Sequence, residues 1–223
     1  TESYSQNSRK PTEIIYTSLD GDLARRDFTI NSMAMNIHPS RFGDLTDPFN
    51  GEEDIKNKIL RTPLNSDETF SEDPLRMMRA AYFSSKLRFK ISKPLLDSMK
   101  RMSPRIEIVS AERIRDEFLK ILRTDKPSIG IVALQKSGLL KYVFPEIDRM
   151  YGMDQTSEWQ HKDIFAHTLQ VVDNAANLSN KMEIRFAALV HDIAKPQTRR
   201  IDKKKGYTFH GHDAVGERMI NEV

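Results

Sequence analysis

From Ser71 onward, apolar residues recur at spacings of three and four, and this periodicity commits most of the chain to packed helices. Leu75, Met78, Tyr82 and Phe83 form the first buried stripe. Glu72 and Asp73 stand where a first helical turn favours acids, and Pro74 is tolerated there. The next helix is expected after Ser110, with Ile114, Phe118, Ile121 and Leu122 on its apolar face. Gly130 and Gly138 read as punctuation between shorter helices carrying Val132, Leu134, Leu139 and Leu140, and Pro145 as the end of that group. Tyr151 to Gln160 is polar and reads as a linker. Beyond it, Ile164, Leu169, Val172 and Ala176 share one helical face; Ile184, Ala187, Ala188 and Val190 belong to another helix, which Pro196 stops.

The first 65 or so residues carry a mixed α/β pattern. Glu13 to Tyr16 reads as a short strand, Thr29 to Ile37 as an apolar, helix-like segment, and Asp47-Pro-Phe-Asn-Gly51 as turn chemistry. The expected fold class is therefore mainly α with a small α/β N-terminal part.

Composition excludes several classes. A hydrophobic fraction of 38% and a charged fraction of 30% suit a soluble, helix-rich chain, and 223 residues suffice for one large or two small domains. The longest apolar runs, such as Phe186 to Val190, cannot span a bilayer. Thr1-Glu-Ser-Tyr4 is polar and lacks a secretory pattern. With no cysteine, disulfides and thiolate metal sites are excluded, and a cytoplasmic location is the simplest expectation. Net charge is only +3, but Arg76 to Arg105 holds nine Lys or Arg against Asp97 alone, and Lys195 to Lys205 holds six against Asp202. Such blocks suit phosphate backbones, with solvated helix faces as the competing reading.

Two short motifs carry nucleotide chemistry. In Arg25-Arg26-Asp27-Phe28-Thr29-Ile30-Asn31, a guanidinium can clamp a triphosphate, and a carboxylate and an amide can pair with ribose hydroxyls. In Glu72-Asp73-Pro74-Leu75-Arg76, continuing to Arg79, positions 73, 76 and 79 are three apart and fall on one helix face. Asp73 offers acceptors and Arg76 donors, so side by side they can imitate the edge of a base. Each motif alone also reads as ordinary surface charge pairing.

In this order, with Asp47-Pro-Phe-Asn-Gly51 between them and Glu112-Arg-Ile-Arg-Asp-Glu117 after them, residues 1 to 150 resemble the bacterial-type (class II) tRNA nucleotidyltransferases and their poly(A) polymerase relatives. The resemblance implies a remnant of a nucleotidyltransferase palm over residues 1–65 and a helical neck and body over 66–150. It assigns Arg26, Asp27 and Asn31 to ribose and phosphates, Asp73 and Arg76 to reading C and A, and Arg79 to a further nucleotide contact. Glu72, Glu112 and Arg113 would brace the site. The implied activity is template-independent addition of CCA to tRNA 3′ ends from CTP and ATP, with Mg²⁺ for transfer; poly(A) addition is the near alternative. Tyr82 stands where the family has another Arg. The family's metal-binding Asp-x-Asp motif is expected upstream of Thr1, because Asp20-Gly21-Asp22 lacks a preceding Gly-rich turn and reads as a turn itself. No catalytic residue is thus assigned, and this chain alone is expected not to transfer a nucleotide.

Five of the six histidines fall in the last 63 residues. His and Asp are natural ligands of a hydrolytic metal where Cys is absent. His167 lies on one expected helix and His191-Asp192 on the next, so antiparallel packing could converge them on one ion. Residues 157–223, with His161, His167, Leu-Val-His191-Asp192-Ile-Ala-Lys195 and Phe209-His-Gly-His212-Asp213, resemble the helical HD phosphohydrolase domain. The resemblance implies a divalent metal on His167, His191 and Asp192, with His210 and His212 as further candidates and Lys195 orienting a phosphate. A later Asp ligand has no clear match, so the domain is expected to be incomplete. Two other classes stay open at this level: a metal phosphohydrolase with an RNA-binding module, and an RNA-binding chain without turnover.

Overall fold

The computed structural model describes residues 2–3, 13–14, 18–157, 160–202 and 206–221, with side chains over 18–153, 163–202 and 206–221. Its helices are α1 (Leu19–Ala24), α2 (Gly51–Asn57), α3 (Ser66–Glu72), α4 (Leu75–Leu87), α5 (Lys93–Met102), α6 (Ala111–Leu122), α7 (Pro127–Lys136), α8 (Leu140–Val143), α9 (Pro145–Asp148), α10 (Ile164–Leu178), α11 (Met182–Val190), α12 (Lys195–Thr198) and α13 (His212–Ile220). The sheets among the described residues are all two-stranded. The fold is mainly α, as the periodicity implies.

The core forms around α4, whose Met77, Met78, Ala80 and Ala81 are fully buried. Helices α6 and α7 pack on it, supplying Phe118, Ile121, Leu122, Ile131 and Leu134. Gly130 lies inside α7 rather than between helices. A Cβ there would come within 2.5 Å of Ile121 Cγ2 and 3.2 Å of the Ala81 carbonyl, so glycine permits the close approach of α7 to α4 and α6. Gly138, at φ +73°, does punctuate, just past the end of α7.

Several boundaries differ from the sequence reading. Glu72 closes α3, which Asn65 caps through its side-chain oxygen onto the Asp67 amide (2.8 Å). Asp73 is extended (φ −141°, ψ 100°), as a residue before proline tends to be. Its Oδ1 accepts from the Leu75 amide at 3.1 Å and so starts α4. Thr29–Asn31 is a 3₁₀ turn and Ala34–Met35 a strand paired with Leu45–Thr46, not a helix. The Thr29 amide donates to the Arg61 carbonyl (2.9 Å), and Thr29 and Ser32 are buried while Met35 and Ile37 stay exposed, so the second half of that segment has no apolar burial to hold a helix. Asp20-Gly21-Asp22 lies within α1, capped by Ser18, and is not a free turn. Pro145 and Pro196 open α9 and α12, where a missing amide costs nothing, instead of stopping helices. The polar segment after Tyr151 contains a hairpin, Asp154–Ser157 with Gln160–Asp163. Glu13–Ile14 pairs with Glu2–Ser3 as a strand; Ile15 and Tyr16 lie outside the described residues.

The C-terminal helices are bolted to the core by polar contacts. Asp173 of α10 accepts from the Ser128 amide (3.0 Å) and hydroxyl (2.7 Å) at the start of α7. Arg185 of α11, only 3% exposed, donates to the carbonyls of Leu122, Thr124, Ser179 and Ala176 and to Asn180 Oδ1. One guanidinium thus satisfies the otherwise orphaned carbonyl ends of α6 and α10.

Candidate functional site

Two clusters stand out. The first is a cleft of about 720 Å³ between the α1–Asn31 segment, the start of α4 and one face of α6. Arg26, Asp27, Asn31, Asp73, Arg76 and Arg79 all line it, together with Arg113. Residues from two motifs almost fifty positions apart are therefore brought to one place.

Asp27 is the hinge of this arrangement and is 8% exposed. Its Oδ2 accepts from Arg79 Nε (2.7 Å) and lies 2.6 Å from Arg79 Nη2. Its Oδ1 accepts from the Phe28 amide (2.9 Å) and Asn31 Nδ2 (3.1 Å). Arg79 also stacks over Phe83, 5.3 Å from the ring centre. Arg26, half exposed, pairs with Asp22 at 2.9 Å. The guanidinium groups of Arg26 and then Arg25 hold the Asp22 carboxyl below its usual range.

Arg76 is held by three acceptors: the Arg25 carbonyl (2.7 Å), Glu72 Oε2 (3.2 Å) and the Thr69 carbonyl (3.4 Å). Asp73 Oδ2 meets Arg113 Nη2 at 3.3 Å, so the third motif reaches the second across forty residues. Among the described residues, Glu72 touches the site only through Arg76, and Glu112 lines a different, apolar groove beside Phe118 and Phe186. Sequence reading missed Phe83, Asp116, Glu117 and Lys120, which also line the cleft. Their signal was available: 113, 116, 117 and 120 are spaced as one helix face. The lining holds five cations (Arg26, Arg76, Arg79, Arg113, Lys120) and four carboxylates (Asp27, Asp73, Asp116, Glu117). Alternating donors and acceptors suit a base plus its phosphates better than a bare anion.

The second cluster lies where α10, the end of α11 and the start of α13 meet. Ligand atoms of His167, His191 and Asp192 all lie within 4.8 Å of one another. Asp192 is 2% exposed; its Oδ2 is 3.1 Å from His191 Nε2, 3.9 Å from His167 Nε2 and 2.7 Å from Lys195 Nζ, and its Oδ1 is 3.8 Å from His212 Nε2. His191 Nδ1 sits 2.9 Å from the Ala188 carbonyl, and His212 Nδ1 2.8 Å from that of Phe209. With Nδ1 of each ring turned to a backbone carbonyl, Nε2 of each ring faces the carboxylate. Burial alone would raise the Asp192 pKa, but His191 and Lys195 outweigh it and bring it down to about 2. Asp192 raises the His191 pKa in turn. Asp192 Oδ2 is sealed from solvent without a partner in hydrogen-bond geometry, which is the arrangement a cation would complete. The donor set therefore fits a divalent ion. His210 is exposed on the turn before α13, and His212 is the one that faces Asp192. The side chain of His161 lies outside the described residues.

A polar cleft between helices and a separate His–Asp cluster mark a helix-rich protein with two candidate sites, and comparison with known proteins narrows the class. Residues 1–61 match the poly A polymerase head domain, 88–151 the probable RNA and SrmB-binding site of polymerase A, and 164–223 the HD domain. The chain belongs to the tRNA nucleotidyltransferase and poly(A) polymerase family and carries an HD domain. It is 38% identical over 212 residues to the Multifunctional CCA protein of Psychromonas ingrahamii, covering 92% of this chain and 49% of the relative. The protein of the same name from Vibrio campbellii is 39% identical, covering 92% and 50%. A solved structure of a tRNA-processing enzyme with CTP superposes with a TM-score of 0.61 at 27% identity, over 78% of this chain and 47% of the other. The chain spans about half the length of the curated relatives it matches.

Proposed function

We propose that this chain is the nucleotide-selecting and RNA-holding part of an enzyme that adds CCA to tRNA 3′ ends, with CTP and ATP as substrates and tRNA as primer. Residues 1–65 would complete a nucleotidyltransferase head, 66–150 form the neck and body, and 157–223 form the HD domain. The convergence of Arg26, Asp27, Asn31, Asp73, Arg76 and Arg79 on one cleft carries this reading.

The chemistry follows from the edges that C and A share. Both present an amino donor beside a ring-nitrogen acceptor on the pairing edge. Asp73 accepts from the amino group and Arg76 donates to the ring nitrogen; G and U reverse that order. To do this, Arg76 keeps its contacts to the Arg25 carbonyl and Glu72 as a brace, while Asp73 exchanges part of its bond to Arg113 for the base. Asp27, fixed by Arg79, holds Asn31 beside the ribose. Arg26, exposed, meets the phosphates. The transfer step would use Mg²⁺, to which we assign no residue of this chain.

A second activity rests on the histidine cluster. His167, His191 and Asp192, with His212 beside them, would hold a divalent ion that activates water against a phosphomonoester or cyclic phosphate, and Lys195 would orient the phosphate. A longer protein that contains this chain together with a Mg²⁺-binding carboxylate motif, given tRNA that ends before CCA, should add C when offered CTP alone. With both nucleotides it should stop after one A. Homopolymeric A tails on generic RNA would overturn the reading in favour of poly(A) addition.

A further inference from the structure

Glu117 of α6 lines the polar cleft and is only 5% exposed. Its Oε1 accepts from Lys120 Nζ at 2.7 Å. Its Oε2 is sealed from solvent and has no hydrogen-bond partner among the described residues. A buried carboxylate oxygen without a donor is costly, so its persistence calls for a use. Asp116 beside it differs: it is well exposed and pairs with Arg115 at 3.0 Å.

Arg113 stands one turn before Glu117 on the same face of α6, and it too lines the cleft. Residues four apart are neighbours on a helix, and helical side chains lean toward the N-terminus, so Glu117 leans toward the turn that carries Arg113. Arg113 is turned instead to Asp73, with Nη2 3.3 Å from Oδ2. That contact is long, and the two side chains are 42% and 33% exposed, so water screens it. A pair between Arg113 and Glu117 would be sheltered, where opposite charges attract more strongly. The last torsion of a glutamate is soft, so a small turn of the carboxylate suffices to face Oε2 to Arg113. One guanidinium thus stands between two carboxylates and holds the more exposed of them.

We propose that Glu117 receives Arg113 when the incoming base takes Asp73. The amino group of C or A donates to Asp73 and displaces the guanidinium. Arg113 then turns along α6 and donates to Glu117 Oε2. The base loses a competitor for Asp73, and the buried carboxylate gains its donor in the same step. Uracil and guanine present a carbonyl at that position, so they cannot displace Arg113 and gain nothing from Glu117. Glu117 is thus a positioning residue. It does not touch the nucleotide, yet it adds to the preference for amino-bearing bases by drawing Arg113 away from Asp73. The proposal rests on the reading of Asp73 as the base acceptor.

The test is a double-mutant cycle on the whole chain: Glu117→Gln, Arg113→Gln and the two together. Calorimetry reads CTP and UTP affinity, and a thermal melt without nucleotide checks each fold. Glu117→Gln keeps the shape and removes a charge that is half unpaired in the free protein, while Lys120, 44% exposed, turns to water. The melt should therefore hold or rise. CTP affinity should fall about tenfold and UTP affinity should not change. In the Arg113→Gln background, Glu117→Gln should leave CTP affinity where it is, because the exchange is already absent. A loss of equal size in both backgrounds, or one shared by UTP, overturns the exchange and leaves Asp73 as the base acceptor. A lowered melt with unchanged CTP affinity makes Glu117 a structural residue and overturns it too. Equal affinity for CTP and UTP in the unmodified protein overturns the selection reading itself, and the exchange with it.

Discussion

The polar cleft and the histidine cluster are built on different principles. In the cleft, most charged groups are paired with one another: Asp27 is held by Arg79, Asp73 meets Arg113, and Arg76 is held by Glu72 and two carbonyls, while Glu117 Oε2 is buried without a hydrogen-bond partner among the described residues. In the cluster, one buried carboxylate, Asp192, gathers Lys195 Nζ and the Nε2 atoms of His191, His167 and His212 around it at 2.7 to 3.9 Å. A self-satisfied site is rigid before its ligand arrives and takes it by exchanging partners, which favours discrimination. A site in which imidazole nitrogens and one buried carboxylate converge offers several ligand atoms to one ion, which favours capture of a cation. The cleft is also assembled from residues 40 and 52 positions apart, whereas three of the cluster's charged groups lie within Asp192 to Lys195 and the residue before it.

Arg185 joins the two regions, so its removal should have the largest effect. Arg185→Met leaves the carbonyl ends of α6 and α10 without donors, and we expect a loss of about 3–5 kcal/mol in chemical denaturation. Because α6 carries Arg113 and α11 leads into His191, both sites should weaken together. Loss of only one would show that the regions are independent. Metal capture gives the next contrast. His191→Ala should reduce binding of Mn²⁺ or Co²⁺, read by calorimetry, by about 100-fold or more, with no change in CTP affinity. Undiminished metal binding would remove the cluster from consideration.

The difference between the regions also explains what was legible in the sequence. The helical stripe of Leu75, Met78 and Phe83 and the α6 face from Ile114 to Leu122 follow from periodicity, because burial is read through spacing. The cleft residues were legible as motifs, and each of the six nucleotide candidates reaches the cleft. Phe83, Asp116, Glu117 and Lys120 were missed because a residue's place in a helix stripe or charge run does not reveal what faces it across the chain. The helix boundary at Glu72–Asp73 was misplaced for a local reason: Asn65 captures the start of an earlier helix, and Pro74 separates it from α4. Gly130 reads as punctuation in the sequence because sequence does not register that Ala81 and Ile121 approach it. Histidine spacing pointed to a cluster, but only the fold distinguishes His212 from His210, two residues away.

Smaller effects sharpen the contrast further. Arg79→Ala leaves Asp27 buried without its cation; since Arg79 is about one third exposed, we expect roughly 2 kcal/mol of destabilisation, measured by thermal melting, together with weaker nucleotide binding. The smallest effect concerns acid stability. The Ser98 hydroxyl and then Arg101 hold the Asp67 carboxyl below its usual range. A carboxyl with a lowered folded pKa stabilises above its ordinary value, near 3.8, and that contribution is lost as pH falls through the folded value. Asp67→Asn should therefore flatten the acid limb of stability slightly below the ordinary carboxyl value of 3.8 without touching either site.

The central claim is that Asp73 and Arg76 choose the nucleotide. The most direct measurement compares affinities for CTP, ATP, GTP and UTP in the unmodified chain and in Asp73→Ala. The unmodified protein should prefer CTP and ATP over GTP and UTP by about tenfold or more, and Asp73→Ala should erase most of that preference while retaining triphosphate binding through Arg26. Equal affinity for all four in the unmodified protein, or an unchanged preference in the variant, would contradict the account.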